Sequence, residues 1–175
     1  MTIDGLTREM TAATNLMQLE VNGFVGGHSG INIHEGRGNA VQVIALVLSR
    51  LLKDCKGARL VSFEGGDKHN AIPRESRAVV AVSEAELEVA KAVIKECEAN
   101  TKTEYGLIDK DIAMTLSPIS VDGEVFALEP ASSNRLLSTY LALPHGPLKF
   151  SAAVQGLVET SNNVAQAKLQ AGEIA

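Results

Sequence analysis

Residues 17–30 read Met-Gln-Leu-Glu-Val-Asn-Gly-Phe-Val-Gly-Gly-His-Ser-Gly. Met17, Leu19, Val21 and Val25 alternate with Gln18, Glu20 and Asn22, the period of two that marks a half-buried strand. The strand runs into the turn Gly26-Gly27-His28-Ser29-Gly30, so a rigid element delivers a histidine to a glycine hinge.

Outward from that stretch the pattern changes to helix. Asn39 stands where it can cap a helix whose buried face is Val43, Ile44, Val47, Leu48, Leu51 and Leu52, ending near Cys55. Ala58–Phe63 and Ala78–Val82 read as two more strands, joined by a polar loop held by Gly65, Gly66 and Pro73. Ser83 with Glu86 forms the spacing of a capping box, and Leu87, Ala90, Ile94 and Cys97 mark the inner face of a second helix. Asp111–Ser117 alternates again and gives a fourth strand, stopped by Pro118. Strand, helix, strand, strand, helix, strand is the split βαβ order. The predicted class is α+β: a ferredoxin-like antiparallel sheet with both helices on one face.

The remainder adds a polar link through Glu129-Pro130, a third helix from near Ser133 with Leu136, Leu137, Tyr140 and Leu141, and a break at Pro144-His-Gly-Pro147. Ala165, Ala167, Leu169 and Ala171 then alternate with Gln166, Lys168 and Gln170 as a C-terminal strand. Ending in strand-like sequence, the chain reads as a single domain over residues 1–175 cut before its next hairpin partner.

Composition narrows the function classes. The net charge of −5, with the two signs interspersed, leaves no basic stripe for nucleic acid or anionic lipid. Neither a membrane span nor a secretory leader is visible, and Cys55 and Cys97 lie on predicted helices without close partners. Reduced thiols and a cytoplasmic location are expected.

Four histidines invite a metal, yet neither His-x-Asp nor His-Glu-x-x-His occurs, there is no Glu-Glu pair, and His28, His34, His69 and His145 fall in separate turns. No metal site is expected within this chain. A Gly-x-Ser-x-Gly elbow is absent as well. Glu35-Gly-Arg-Gly-Asn39 could present backbone N–H groups to an anion or serve only to cap its helix, and Asp109-Lys110-Asp111 reads as solvated surface. Two loops stand above this background, Gly26–Gly30 and His69–Glu75. His28 is either a held hydrogen-bond donor or an ordinary loop histidine, and Asn70 either faces outward or satisfies its own turn.

At these segments the chain resembles the aminoacyl-histidine (Xaa-His) dipeptidases, bacterial relatives of carnosinase among the co-catalytic zinc amidohydrolases. The likeness begins near Thr7 and includes Gly26-Gly-His-Ser-Gly30, Ile33-His-Glu-Gly-Arg-Gly-Asn-Ala40, Phe63-Glu-Gly-Gly66, Asn70-Ala-Ile-Pro-Arg-Glu75 and Gly156-Leu-Val-Glu-Thr-Ser-Asn-Asn163. The resemblance implies a two-domain enzyme in which a catalytic domain holds two zinc ions and a smaller lid mediates homodimerisation. This chain resembles the lid alone, inactive without its catalytic domain. The family's roles then fall on His28, which would reach across the dimer to polarise the scissile carbonyl of a dipeptide, and on Asn70 and Ser29, which would contact substrate. The competing expectation is a stand-alone ferredoxin-like dimerisation or small-ligand-binding module without catalysis.

Overall fold

The computed structural model describes residues 3, 5–11 and 15–169. In chain order the elements are β1 (Arg8–Met10), β2 (Asn15–Asn22), β3 (Gly27–His28), α1 (Ala40–Asp54), β4 (Arg59–Gly65), β5 (Ala71–Ile72) and β6 (Ser76–Val82). Then follow α2 (Leu87–Tyr105), β7 (Ala113–Ile119), β8 (Phe126–Leu128), α3 (Pro130–Ala142), β9 (Gly146–Phe150), β10 (Val158–Asn162) and β11 (Ala167–Leu169).

Five strands form the main antiparallel sheet in the order β11-β4-β6-β2-β7. β4, β6, β2 and β7 reproduce the predicted ferredoxin-like arrangement, and β11 adds an edge beyond β4. The register places Leu19 opposite Ala78 on one side and Leu116 on the other, so the apolar positions of three strands line one face. On that face lie α1 and α2. Eight α1 residues are buried, from Ala40 to Leu51, and each fully buried Leu or Ile among them contributes roughly 1.5–3 kcal/mol. In α2 the buried stripe is narrower, with Ala90, Val93 and Ile94 at its centre. The extra helix α3 leans on α1 and β4, where Tyr140 meets Phe63 edge-to-face at 5.0 Å.

A bulge in β4 lets it serve both sheet faces. Leu60 pairs with Val80 and Ser62 with Val79, leaving Val61 as the extra residue. Leu60 and Phe63 thereby both reach the helix side, while Val61 joins Ala81 and Ala127 in a small second cluster on the other. The short β1–β8 ribbon covers that cluster, and Arg8 ties it down by donating to the carbonyls of Val61 and Phe126 at 2.9 and 3.0 Å.

Several local expectations are corrected. The first strand ends at Asn22 and not at Val25, because Gly23 has φ +85° and any Cβ there would collide with the Asp111 carbonyl. Pro118 does not stop the fourth strand. It pairs with Met17 on the outer strand β7, where a proline lacking an N–H is tolerated. The third helix begins at Pro130, whose fixed φ suits the first helical turn, so Glu129-Pro130 is its start and not a link. Ser83 and Glu86 do not close a capping box either. The Ser83 hydroxyl donates to the Glu86 carboxylate at 2.8 Å, and that carboxylate accepts from Gly57 N–H, pinning the α1–β4 turn to the start of α2. Of the C-terminal alternation, Ala167 and Leu169 lie on β11, and Gln170 and Ala171 fall outside the described residues.

Candidate functional site

Past Gly23 the chain turns under Gly38 and enters the glycine hinge with two left-handed residues, Gly26 at φ +65° and Gly27 at φ +136°. Side chains there would collide with Arg74 and Arg37 respectively. The hinge emerges as β3, which bridges β5 with Gly27 opposite Ile72 and His28 opposite Ala71. Ser29 N–H then donates to Asn70 O at 2.9 Å. The two loops singled out in the sequence are therefore one structure, and His28, Ser29 and Asn70 are neighbours across a single bridge.

The His28 ring has a defined tautomer. Nδ1 accepts from Gly30 N–H at 3.0 Å and from Ile31 N–H at 3.2 Å, so in the neutral ring the proton sits on Nε2. That N–H is an exposed donor with no acceptor among the described residues. Asn70 is exposed too, and neither its amide nor the Ser29 hydroxyl has a hydrogen-bond partner among the described residues. Asn70 therefore does not satisfy its own turn. Three polar side chains on one bridge are left open to a ligand.

Beneath this bridge lies a polar framework that the sequence did not reveal. Asp109, expected on the solvated surface, is fully buried. Its oxygens accept from Val25 N–H at 2.7 Å and from Gly38 N–H at 2.8 Å, joining the entry of the hinge to the segment before α1. The anion-site reading of Glu35–Asn39 is corrected by the same bonds. Gly38 N–H is taken by Asp109, Ala40 N–H by Pro73 O, and the N–H groups of Val41 and Gln42 by the Asn39 side chain, so capping accounts for the segment. A second set of bonds holds the β5 loop: Asn163 donates to Ala71 O at 2.7 Å, while Asn39 Nδ2 reaches Val164 O, Asn163 Oδ1 and His145 Nδ1.

His145 is half-buried, and its Nε2 faces the Arg37 carbonyl at 3.2 Å. A carbonyl only accepts, so Nε2 carries the proton and Nδ1 receives the Asn39 amide. A second proton would set Nδ1–H against that N–H, and burial pushes the ring below the ordinary histidine range. With the folded value below the unfolded one, the unfolded chain binds the proton first. This contribution to stability is complete above the unfolded value near ~6.5 and is lost as pH falls from there toward the folded value. Thermal unfolding at pH 8 and pH 6 is expected to show a lower midpoint at pH 6, and His145→Gln should shrink the difference.

No three His, Cys, Asp or Glu side chains converge on a possible metal position among the described residues. Cys55 and Cys97 are free, and burial pushes both thiols up, away from the reactive thiolate. Among the described residues no helix is long and apolar enough to cross a membrane.

The chain is 34% identical over 160 residues to the cytosol non-specific dipeptidase of Escherichia coli (strain K12), an alignment that takes in 91% of this chain and 32% of that protein. The crystal structure of aminoacylhistidine dipeptidase from Vibrio alginolyticus superposes with a TM-score of 0.88 at 34% identity, over 95% of this chain and 34% of that one. The chain thus spans about a third of the length of the relatives it matches. Residues 19–108, from the middle of β2 to just past α2, match the family described as the peptidase dimerisation domain. They make up just over half of the chain, which therefore belongs to the peptidase dimerisation domain family.

Proposed function

We propose that this chain is the lid and dimerisation domain of a zinc-dependent dipeptidase of the Xaa-His type, presenting His28 to the active site of a partner subunit. The observation that carries this reading is the bridge itself. His28 Nε2–H, the half-buried Ser29 and the exposed Asn70 stand side by side, their side-chain donors unpartnered among the described residues, on backbone held by buried bonds below. A fixed N–H donor of this kind stabilises negative charge developing on a carbonyl oxygen, and Asn70 and Ser29 supply the grip on the flanking peptide. Both similar proteins named above are dipeptidases, one described by aminoacylhistidine substrates and the other as non-specific, so small dipeptides are the substrate class.

The residues of this chain do not fit the two zinc ions of such an enzyme, because no ligand cluster is present among those described. Those ions and the activation of water belong to a catalytic domain, and the chain alone is inactive. Purified chain incubated with zinc and an Xaa-His dipeptide should release no histidine above the metal blank. Turnover above that blank would overturn the assignment of hydrolysis to a separate domain. Cytoplasmic peptide turnover is the setting that matches the reduced cysteines.

Homodimerisation follows from the same reading. The outer edge of β7 has no partner strand among the described residues, and Leu107 beyond the end of α2 is 91% exposed. Light scattering of the chain at high micromolar concentration is expected to give the mass of a dimer, and a monomer alone would count against this face as the contact.

A further inference from the structure

We infer that Asn32, Glu35 and Arg37 form a positioning relay for His28, locking the Asn32 side chain in the one orientation that brackets the His28 backbone and aims its imidazole. The inference rests on the role proposed for His28 above.

The relay runs through four residues. Arg37 donates to Gly26 O through one guanidinium nitrogen and to Glu35 Oε2 through two others, at 2.9 and 2.6 Å. The second Glu35 oxygen, Oε1, accepts from Asn32 Nδ2 at 2.7 Å. An amide has one donating and one accepting end, and an ionised carboxylate only accepts. Glu35 therefore dictates which way the amide lies, and Asn32 Oδ1 falls on His28 N–H at 2.9 Å. Asn32 N–H meanwhile donates to His28 O at 2.8 Å. One residue holds both backbone polar groups of His28, while Gly30 and Ile31 hold the ring at Nδ1.

Two glycines of the hinge are explained by this arrangement. A Cβ on Gly27 would strike the Arg37 guanidinium and lie 2.9 Å from Asn32 Oδ1, so the relay itself needs a glycine there. A Cβ on Gly30 would sit 3.3 Å from His28 Cε1, tight against the ring in its held position. The Arg37 side chain is only 17% exposed, where a forked charge-assisted pair is stronger than a surface one. Hydrogen bonds from Asn32 and Arg37 hold the Glu35 carboxyl below the usual carboxylate range, so at neutral pH it stays the acceptor the relay requires.

The test reads the ring directly. Long-range ¹H–¹⁵N spectra of the 175-residue chain at pH 8 should show His28 with a bare Nδ1 and a protonated Nε2. Glu35→Ala and Arg37→Met should mix the tautomers and speed amide exchange at Gly30 and Ile31, with Glu35→Gln, which keeps an acceptor for Asn32, restoring most of the native signal. Glu35 is exposed, so Glu35→Ala should fold normally. In the intact enzyme Glu35→Ala should lower kcat by roughly 10- to 100-fold with KM within about twofold. The double variant with His28→Ala should be no slower than His28→Ala alone, since the relay acts only through that ring. Unchanged His28 signals in both variants, or additive losses in the double variant, would overturn the relay. A His28→Ala rate equal to wild type would instead remove the functional reading, with the spectra still deciding the relay.

Discussion

In the dipeptidase proposed to carry this domain, His28→Ala is expected to lower kcat by about a hundredfold or more while KM and the unfolding midpoint stay close to wild type. The size follows from the geometry. Nδ1 is occupied by two turn N–H groups, so Nε2–H is the ring's only donor in its neutral form, and it faces outward without an intramolecular acceptor among the described residues. A donor of this kind matters most when a carbonyl becomes an oxyanion, and losing one such donor costs about 3–4 kcal/mol in the transition state. Ground-state binding is carried by other groups, so KM moves little. The fold is spared because His28 is exposed and the two N–H groups released by alanine can be solvated. Steady-state kinetics beside thermal unfolding decide the matter. A rate within threefold of wild type would remove His28 from the mechanism, and a collapsed midpoint would reassign it to structure.

The sheet was legible because its strands obey a period of two and its helices a period near 3.6 over long spans. Met17 to Val21, Val43 to Leu51 and Ala113 to Ser117 each carry enough apolar positions to fix a face. Features set by contacts distant in sequence were not legible. β1 is three residues long and finds β8 more than a hundred residues later, so no local pattern announces either. The bridge between β3 and β5 joins two residues on each side. His28 and Asn70 were visible as separate glycine- and proline-bounded loops, but their adjacency comes from that bridge. Pro118 misled because the rule that proline ends a strand applies to central strands, and only the sheet order shows β7 to be at an edge. Asp109 misled most, because two acids around a lysine resemble surface in any local reading.

Asp109→Ala is expected to destabilise the chain by about 3 kcal/mol, because it leaves two backbone donors without acceptors at ~1–3 kcal/mol each. Neither donor can be dropped from the fold. Val25 N–H belongs to the segment entering the hinge, and Gly38 N–H lies in a buried stretch where Phe24 and Tyr105 occupy the space a side chain would need. Nor does a cation among the described residues pair with the carboxylate. Its contacts are backbone N–H groups, and its own N–H donates to Tyr105 O at the carbonyl end of α2, where the helix dipole disfavours negative charge. The buried side chain is retained because its two oxygens can close two loops at once. Asn at this position supplies one acceptor and turns an N–H toward the second donor, so Asp109→Asn should fall between alanine and wild type. For a domain of this size the alanine variant should melt roughly 6–12 °C lower, and hydrogen exchange at Val25 and Gly38 should quicken more than in the centre of the sheet. A midpoint within 2 °C of wild type would show that water replaces the carboxylate without loss. A uniform rise in exchange would show that Asp109 supports the whole fold and not the two loops it joins.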